Sequence, residues 1–258
     1  MAKIPTVNCK QCGAELKLPE EDVMIKCQYC GTPQVLDREG LLFHYYIPQD
    51  LDPGEGKKVL LEWMSRPDKA KDLNLKASIT KFELKFTPIW LFKFGTEGKE
   101  KVVLESANPE LYWYPAKLPP GELKFFDEAK VENAIEPTIK ADNALARMET
   151  RLGFSEGKAG QGEAREKALV HFPVYTAVYS AGGGLYTAAV DASSGEVFAT
   201  SFPRRSEHPF IILGAGAVVL LTALHWLSVF GIYNTNFTLL PIGILLTFAA
   251  AMVVAEKY

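Results

Sequence analysis

CKQCG at 9–13 and CQYCG at 27–31 hold all four cysteines of the chain, and their reading decides the amino-terminal fold. A CxxC turn brings two thiolates to one side of a tight loop, and the glycine after it relieves the backbone where amide groups turn toward sulfur. Four soft thiolates in tetrahedral array suit zinc, so Cys9, Cys12, Cys27 and Cys30 are the candidate ligands. The intervening AELKLPEEDVMIK alternates apolar and polar residues around Pro19. That predicts the strands of a zinc ribbon over 1–38, too small to fold without its metal. A structural site closed by four protein ligands has no position for substrate or activated water, so its contribution is folding and presentation. Two disulfides and a rubredoxin-like iron site are the alternatives for the same residues. A reducing cytosol argues against the disulfides, and the short ribbon without an evident set of aromatics argues against iron.

The carboxyl end is equally patterned. Phe210 to Phe230 is a run of 21 residues without a formal charge, and Phe237 to Ala255 is a second of 19. At helical rise each spans about 30 Å of hydrocarbon, and the short GIYNTN between them predicts a two-helix transmembrane hairpin over 207–258. Arg204, Arg205 and Lys257 flank the outer ends while the connecting loop has no Lys or Arg. That bias places both termini in the cytosol of a cell-membrane protein. Trp226 and Tyr233 fall near the loop, where amphipathic rings favour the interface. Gly243, Thr247, Ala251 and Ala255 recur every four residues, a helix-packing stripe whose expected partner is the first span. Pro241 falls in the first turn of its helix, and His225 near the outer end of the first span reads as a residue reaching water.

The 258 residues carry 28 Lys and Arg against 31 Asp and Glu, and nearly all of these charges precede the apolar segments. That balance gives no general attraction for polyanions. Residues 1–37 contain four Lys (3, 10, 17, 26) and five acids (15, 20, 21, 22, 37), and a bound ZnS4 centre adds about −2. Nucleic acid is therefore a poor partner for it. MAKIPTVNCKQCG has no apolar core of leader length.

Residues 39–206 read as a β-rich α+β cytosolic domain. Asp52-Pro53-Gly54-Glu55 is a helix start with an acidic N-cap, Pro at N1 and Glu at N3. The helix runs through KKVLLEWM, with Val59, Leu60, Trp63 and Met64 on its apolar side. Phe82, Leu84 and Phe86, then Trp90, Phe92 and Phe94, share one parity in a long half-buried strand that places Pro88 at an edge or a bulge. GTEG at 95–98 turns into KVVLE. Leu169, Pro173, Val174, Tyr175 and Tyr179 hold the offsets of Leu84, Pro88, Ile89, Trp90 and Phe94. This suggests a duplicated strand–turn–strand unit in blocks 79–105 and 168–201. The second block continues as a meander through SAGGG, LYTAAVD and SSGEV, with Ser194-Gly195 a hairpin turn. Ala141, Leu145, Met148 and Leu152 predict an amphipathic helix covering the sheet, and GFSEGKAGQGEA at 153–164 a linker.

The order CxxCG…CxxCG, YYIP at 45–48, a helix ending near Trp63, TPIWLFKF at 87–94 and HFPVYTAVY…AAVDASSGEV before an apolar segment resembles a family of prokaryotic membrane proteins. They carry an amino-terminal ribbon of the transcription factor IIB type, similar to that of primosomal protein N-prime. The resemblance implies a docking platform that works with membrane-stress or membrane-remodelling proteins. AVDASSGEV, near 188–198, also resembles the end of a PepSY unit. Neither likeness transfers a catalytic residue. His44, His171, His208 and His225 form no metal-protease motif or close pairing in sequence, and no fifth cysteine is left as a nucleophile. His44 and His171 read as ordinary strand residues, and Tyr112, Trp113 and Tyr114 as core or docking aromatics. The expected function is a non-enzymatic membrane adaptor that holds a cytosolic protein partner at the bilayer. A rubredoxin-like membrane-tethered electron carrier and a membrane tether for nucleic acid are the alternatives.

Overall fold

The computed structural model describes residues 6–17, 24–37, 40–95, 100–119, 121, 123–152, 164, 166–205, 208–229 and 239–257, without the side chains of 152, 208, 227–229, 239–242 and 255–257. Pro19, the GTEG turn beyond Gly95, the 153–163 linker and the GIYNTN loop lie outside the described residues. The fold is mixed α/β and mostly sheet. Its strands begin with β1 (Thr6–Asn8), β2 (Glu15–Lys17), β3 (Met24–Lys26), β4 (Pro33–Asp37) and β5 (Gly40–Tyr46). Helices α1 (Pro53–Met64) and α2 (Leu73–Lys76) precede β6 (Ser78–Phe94), β7 (Lys101–Ser106), β8 (Lys124–Phe125) and α3 (Ala141–Leu152). Then come β9 (Glu166–Ala181), β10 (Gly184–Asp191), β11 (Val197–Ala199), α4 (His208–Val229) and α5 (Leu239–Lys257). Two compact units result, Met1–Trp63 with Ala77–Phe202, and Met64–Lys76 with Pro203–Tyr258.

In the first unit, β6 and β9 pair antiparallel almost end to end, from Ser78↔Ser180 to Lys93↔Glu166. The hairpins β6–β7 and β9–β10 share one register. Ile89↔Ser106 and Phe94↔Lys101 become Val174↔Asp191 and Tyr179↔Tyr186 when 85 is added to each number. The same shift carries Phe86↔Pro173 into His171↔Pro88, so the β6–β9 pair maps onto itself about Thr87↔Phe172.

Pro88 is neither at an edge nor at the bulge, which lies between Ile79 and Lys81. It sits inside a strand with neighbours on both sides. Its carbonyl accepts from Ala107 N on the side away from β9, so its missing N–H faces the place where β7 ends and the 133–135 segment takes over. Pro173 repeats the device. Ala192 N donates to its carbonyl where β9 passes from β5, parallel over Ala168–His171, to β10. A strand can omit a donor at no cost where its partner changes.

Each aromatic two residues past its proline fixes a helix entry. Trp90 Nε1 donates to Ile139 O at 2.7 Å, just before α3, and Tyr175 OH to Leu51 O at 3.0 Å, just before α1. The α1 start is a reciprocal capping box, with Glu55 N donating to Asp52 Oδ1 at 2.8 Å and Asp52 N to Glu55 Oε2 at 3.0 Å. Such a cap contributes about 1 kcal/mol. Leu60 and Met64 are fully buried on its apolar side.

Strand parity divides the core. Trp90, Phe92, Phe94 and Leu169 pack with Ala141, Ala144 and Met148 of α3, whereas Ile89, Leu91, Val170 and Phe172 pack on the other face with Ala189 and Tyr114. Tyr114 is thus core, its hydroxyl donating to Asp191 Oδ2 at 2.6 Å, while Tyr112 is exposed beneath the Arg147 guanidinium.

In the second unit, α4 contains one run, Pro209–Trp226, long and apolar enough to cross a membrane. In α5 the apolar run among the described residues is the shorter Gly243–Val254. Gly243 is buried, and a Cβ there would lie 2.8 Å from Leu224 Cδ1 and 3.4 Å from Leu221 Cδ2, so α5 meets α4 at the glycine. Thr247 and Ala251 continue that side half-buried, and Ala255 is described only as α5 backbone.

Gly56 is the tightest approach of α1 to the sheet, because a Cβ there would lie 2.8 Å from Tyr175 Cδ2 and 2.9 Å from Cε2. Gly56→Val is expected to destabilise the sheet unit by about 1–3 kcal/mol through overpacking. An unchanged thermal midpoint in the purified variant would contradict the packing described.

Candidate metal centre and a buried histidine pair

Two superimposable turns carry the cysteines. Cys9 N donates to Ala14 O and Gly13 N to Cys9 O; Cys27 N donates to Thr32 O and Gly31 N to Cys27 O. Gly13 and Gly31 both have φ of 74°, a left-handed backbone that glycine adopts without penalty, and a Cβ at either would meet no atom. Conformation rather than space demands glycine here.

The four sulfurs lie within 4.8 Å of one another, with Cys9–Cys30 at 3.7 Å and Cys12–Cys27 at 3.8 Å. A tetrahedron with arms of about 2.3 Å, the zinc–thiolate length, has edges of about 3.8 Å. A disulfide would need about 2.05 Å. All four thiols are free, Cys9 and Cys27 buried and Cys12 and Cys30 exposed. The donor set fits a closed four-coordinate metal site.

The thiol environments favour a cation. Burial pushes Cys9 up, but the Cys12 and Gln11 backbone and the Gln34 amide outweigh it and bring the thiol down to about 6. Cys30 is lowered by the Thr32 hydroxyl, 3.2 Å from its sulfur, and by the Thr32 backbone. Cys12 is lowered by the Ala14 backbone but raised more by burial and the crowding of the other three sulfurs, to about 12. A metal ion relieves such crowding.

Sequence reasoning gave Gln34 no role. Its side chain is wholly buried on β4, with Nε2 donating to Cys9 Sγ at 3.1 Å and Oε1 accepting from Lys10 N at 2.8 Å. It reaches from the second hairpin into the first turn. β3–β4–β5 belong to the main sheet, whereas β1–β2 is a separate two-stranded ladder. Gln34, and a metal held by the four thiolates, would therefore tie a small ladder to a large sheet. Among the described residues, Leu16, Leu41 and the buried cysteines, with Val7, Ile25 and Leu36 beside them, form the local apolar cluster.

His44 and His171, far apart in sequence, form a buried pair and are not the ordinary strand residues expected. His44 Nε2 lies 2.9 Å from His171 Nδ1, and His171 Nε2 lies 2.9 Å from Ile135 O. The parallel pairing of β5 with β9 brings them together, and the His44 ring stacks on Phe126 at 3.9 Å. Burial, then the neighbouring His171, lowers His44 to about 2. Burial, against the bond to Ile135, lowers His171 to about 4. In sequence, the only available signal was a polar residue within an otherwise apolar stretch, LVHFPV at 169–174.

Comparison of the chain with protein-family models, curated proteins and solved structures returns no match.

Stripping the metal with a chelator is expected to raise amide exchange at Val7 and Leu16 while the β6–β9 ladder stays protected. Gln34→Leu should weaken metal retention about tenfold in a chelator competition. Uniform exchange across the sheet on metal removal would contradict this division.

Both histidines are depressed from the ordinary 6.5 in the folded state. Between about pH 6.5 and 4 the unfolded chain therefore binds more protons, and stability falls as pH falls, by up to about 2 kcal/mol per ring at pH 5. His171→Phe, copying the related position Phe86, should roughly halve that slope in unfolding midpoints measured against pH.

Proposed function

We propose that the chain is a membrane-anchored zinc-ribbon adaptor that docks a cytosolic protein partner at the bilayer, in membrane stress or remodelling. The single observation that carries the reading is the closed cluster of Cys9, Cys12, Cys27 and Cys30 in a chain that also bears a membrane-length apolar helix. With every coordination position filled by protein, the metal organises a surface and activates nothing. Zinc is the ion of choice for a redox-silent structural role. In α4, Ile211, Ile212, Val218, Val219 and Trp226 are exposed, and α5 exposes Leu245, Phe248 and Val253. Apolar surface of that extent belongs against lipid. In this reading both helices span, with Gly243, Thr247 and Ala251 turned toward α4 and both termini cytosolic.

The test uses the full chain in mild detergent. Stoichiometric zinc is expected, with repeated recovery of one partner in near-equal amount that is lost in a Cys12→Ser, Cys30→Ser double variant. Stoichiometric iron would replace the adaptor with an electron carrier, and recovery of the chain alone in every preparation would overturn docking. Cysteine-labelling reagents that do not cross membranes should reach single cysteines placed in 231–236 from the side opposite the termini.

A further inference from the structure

A pocket of about 250 Å³ lies beside the histidine pair, between the second cysteine hairpin and the turn after β8, and Lys26, Gln34, His44, Phe126, Asp127 and Glu128 are among its walls. The hydrogen-bond chain fixes which His44 nitrogen is free. The Ile135 carbonyl can only accept, so His171 Nε2 carries its proton and His171 Nδ1 accepts; His44 Nε2 then donates, and His44 Nδ1 is left as a lone pair. That nitrogen makes no hydrogen bond among the described residues, in a side chain only 1% exposed that lines the pocket.

The fold does not require this arrangement, because the position related to His171 by the 85-residue shift is Phe86, which packs with Tyr46, Phe126 and Val131. A local rule broken beside a cavity is the pattern of a binding site. The rim supplies charges of both signs. Asp127 is engaged, its Oδ1 accepting from Ala129 N at 3.2 Å and its Oδ2 3.5 Å from Lys130 Nζ. Lys26 and Glu128 are exposed and have no ion-pair partner among the described residues.

We propose that this pocket binds a small zwitterion of free-amino-acid size, its ammonium donating to His44 Nδ1 and pairing with Glu128, and its carboxylate pairing with Lys26. Phe126 and Met24 offer apolar contact to a side chain. The neutral imidazoles suit an acceptor role, since a protonated His44 would repel the ammonium. This site is separate from the docking reading and stands or falls without it.

The experiment titrates the full-length, zinc-loaded chain in detergent with a panel of free L-amino acids, and with n-butylamine and acetate as single-charge probes. The readouts are calorimetry and the ring-nitrogen resonances of His44. At least one amino acid is expected to saturate by about 10 mM, with n-butylamine and acetate each about tenfold weaker. His44→Phe should cost about tenfold or more, and Glu128→Gln or Lys26→Met about fivefold each. Should His44→Phe fail to fold, the two exposed variants carry the test. The proposal is overturned if no amino acid moves the His44 resonances, if n-butylamine binds as well as the best amino acid, or if both exposed variants bind as the parent does.

Discussion

The antiparallel pair β6–β9 is the frame on which the main nine-stranded sheet is built. Its residues alternate between two buried faces, so a one-residue slip would exchange the α3-facing set of Trp90, Phe92 and Phe94 for Ile89 and Leu91. Two prolines could have broken such a ladder. Instead, Pro88 and Pro173 turn their missing donors toward the points where the outer partner changes, and those points define where β7, β10 and β5 begin or end. The aromatics just beyond them then locate both helices.

The metal centre depends on the same frame. Through β4 and β5, the second cysteine turn is an outgrowth of the sheet, and Gln34 extends that rigidity to Cys9. What a metal adds is the closure of the first turn onto the second. One of the two cysteine turns is thus already anchored by the core before the other closes onto it.

Local chemistry was legible in the sequence. Asp52 and Glu55 spell a capping box, paired CxxCG spells two equivalent turns, and the repeated proline–aromatic spacing spells equal registers. The placement of Pro88 was not legible, because an interior proline is excluded only if its neighbours are continuous, and the sequence does not show where a neighbouring strand ends. Nor was the histidine pair, whose contact depends on β5 running parallel to β9 across more than a hundred residues. Gln34 escaped for a similar reason: amides are ordinary strand residues until a thiolate stands opposite.

The order of the elements along the chain has a kinetic consequence. Because β9 supplies the partner for β5, β6 and β10 alike, the sheet cannot close until residues near Ala181 have left the ribosome, and α4 begins at His208. At about 5–20 residues per second, only a few seconds of synthesis separate those two events. The sheet unit therefore begins to assemble just as an aggregation-prone apolar helix emerges behind it. In the membrane-anchored reading proposed above, delivery of that helix to lipid and closure of the β6–β9 pair would be concurrent events, and a delay in either would leave that element's own apolar surface exposed to solvent.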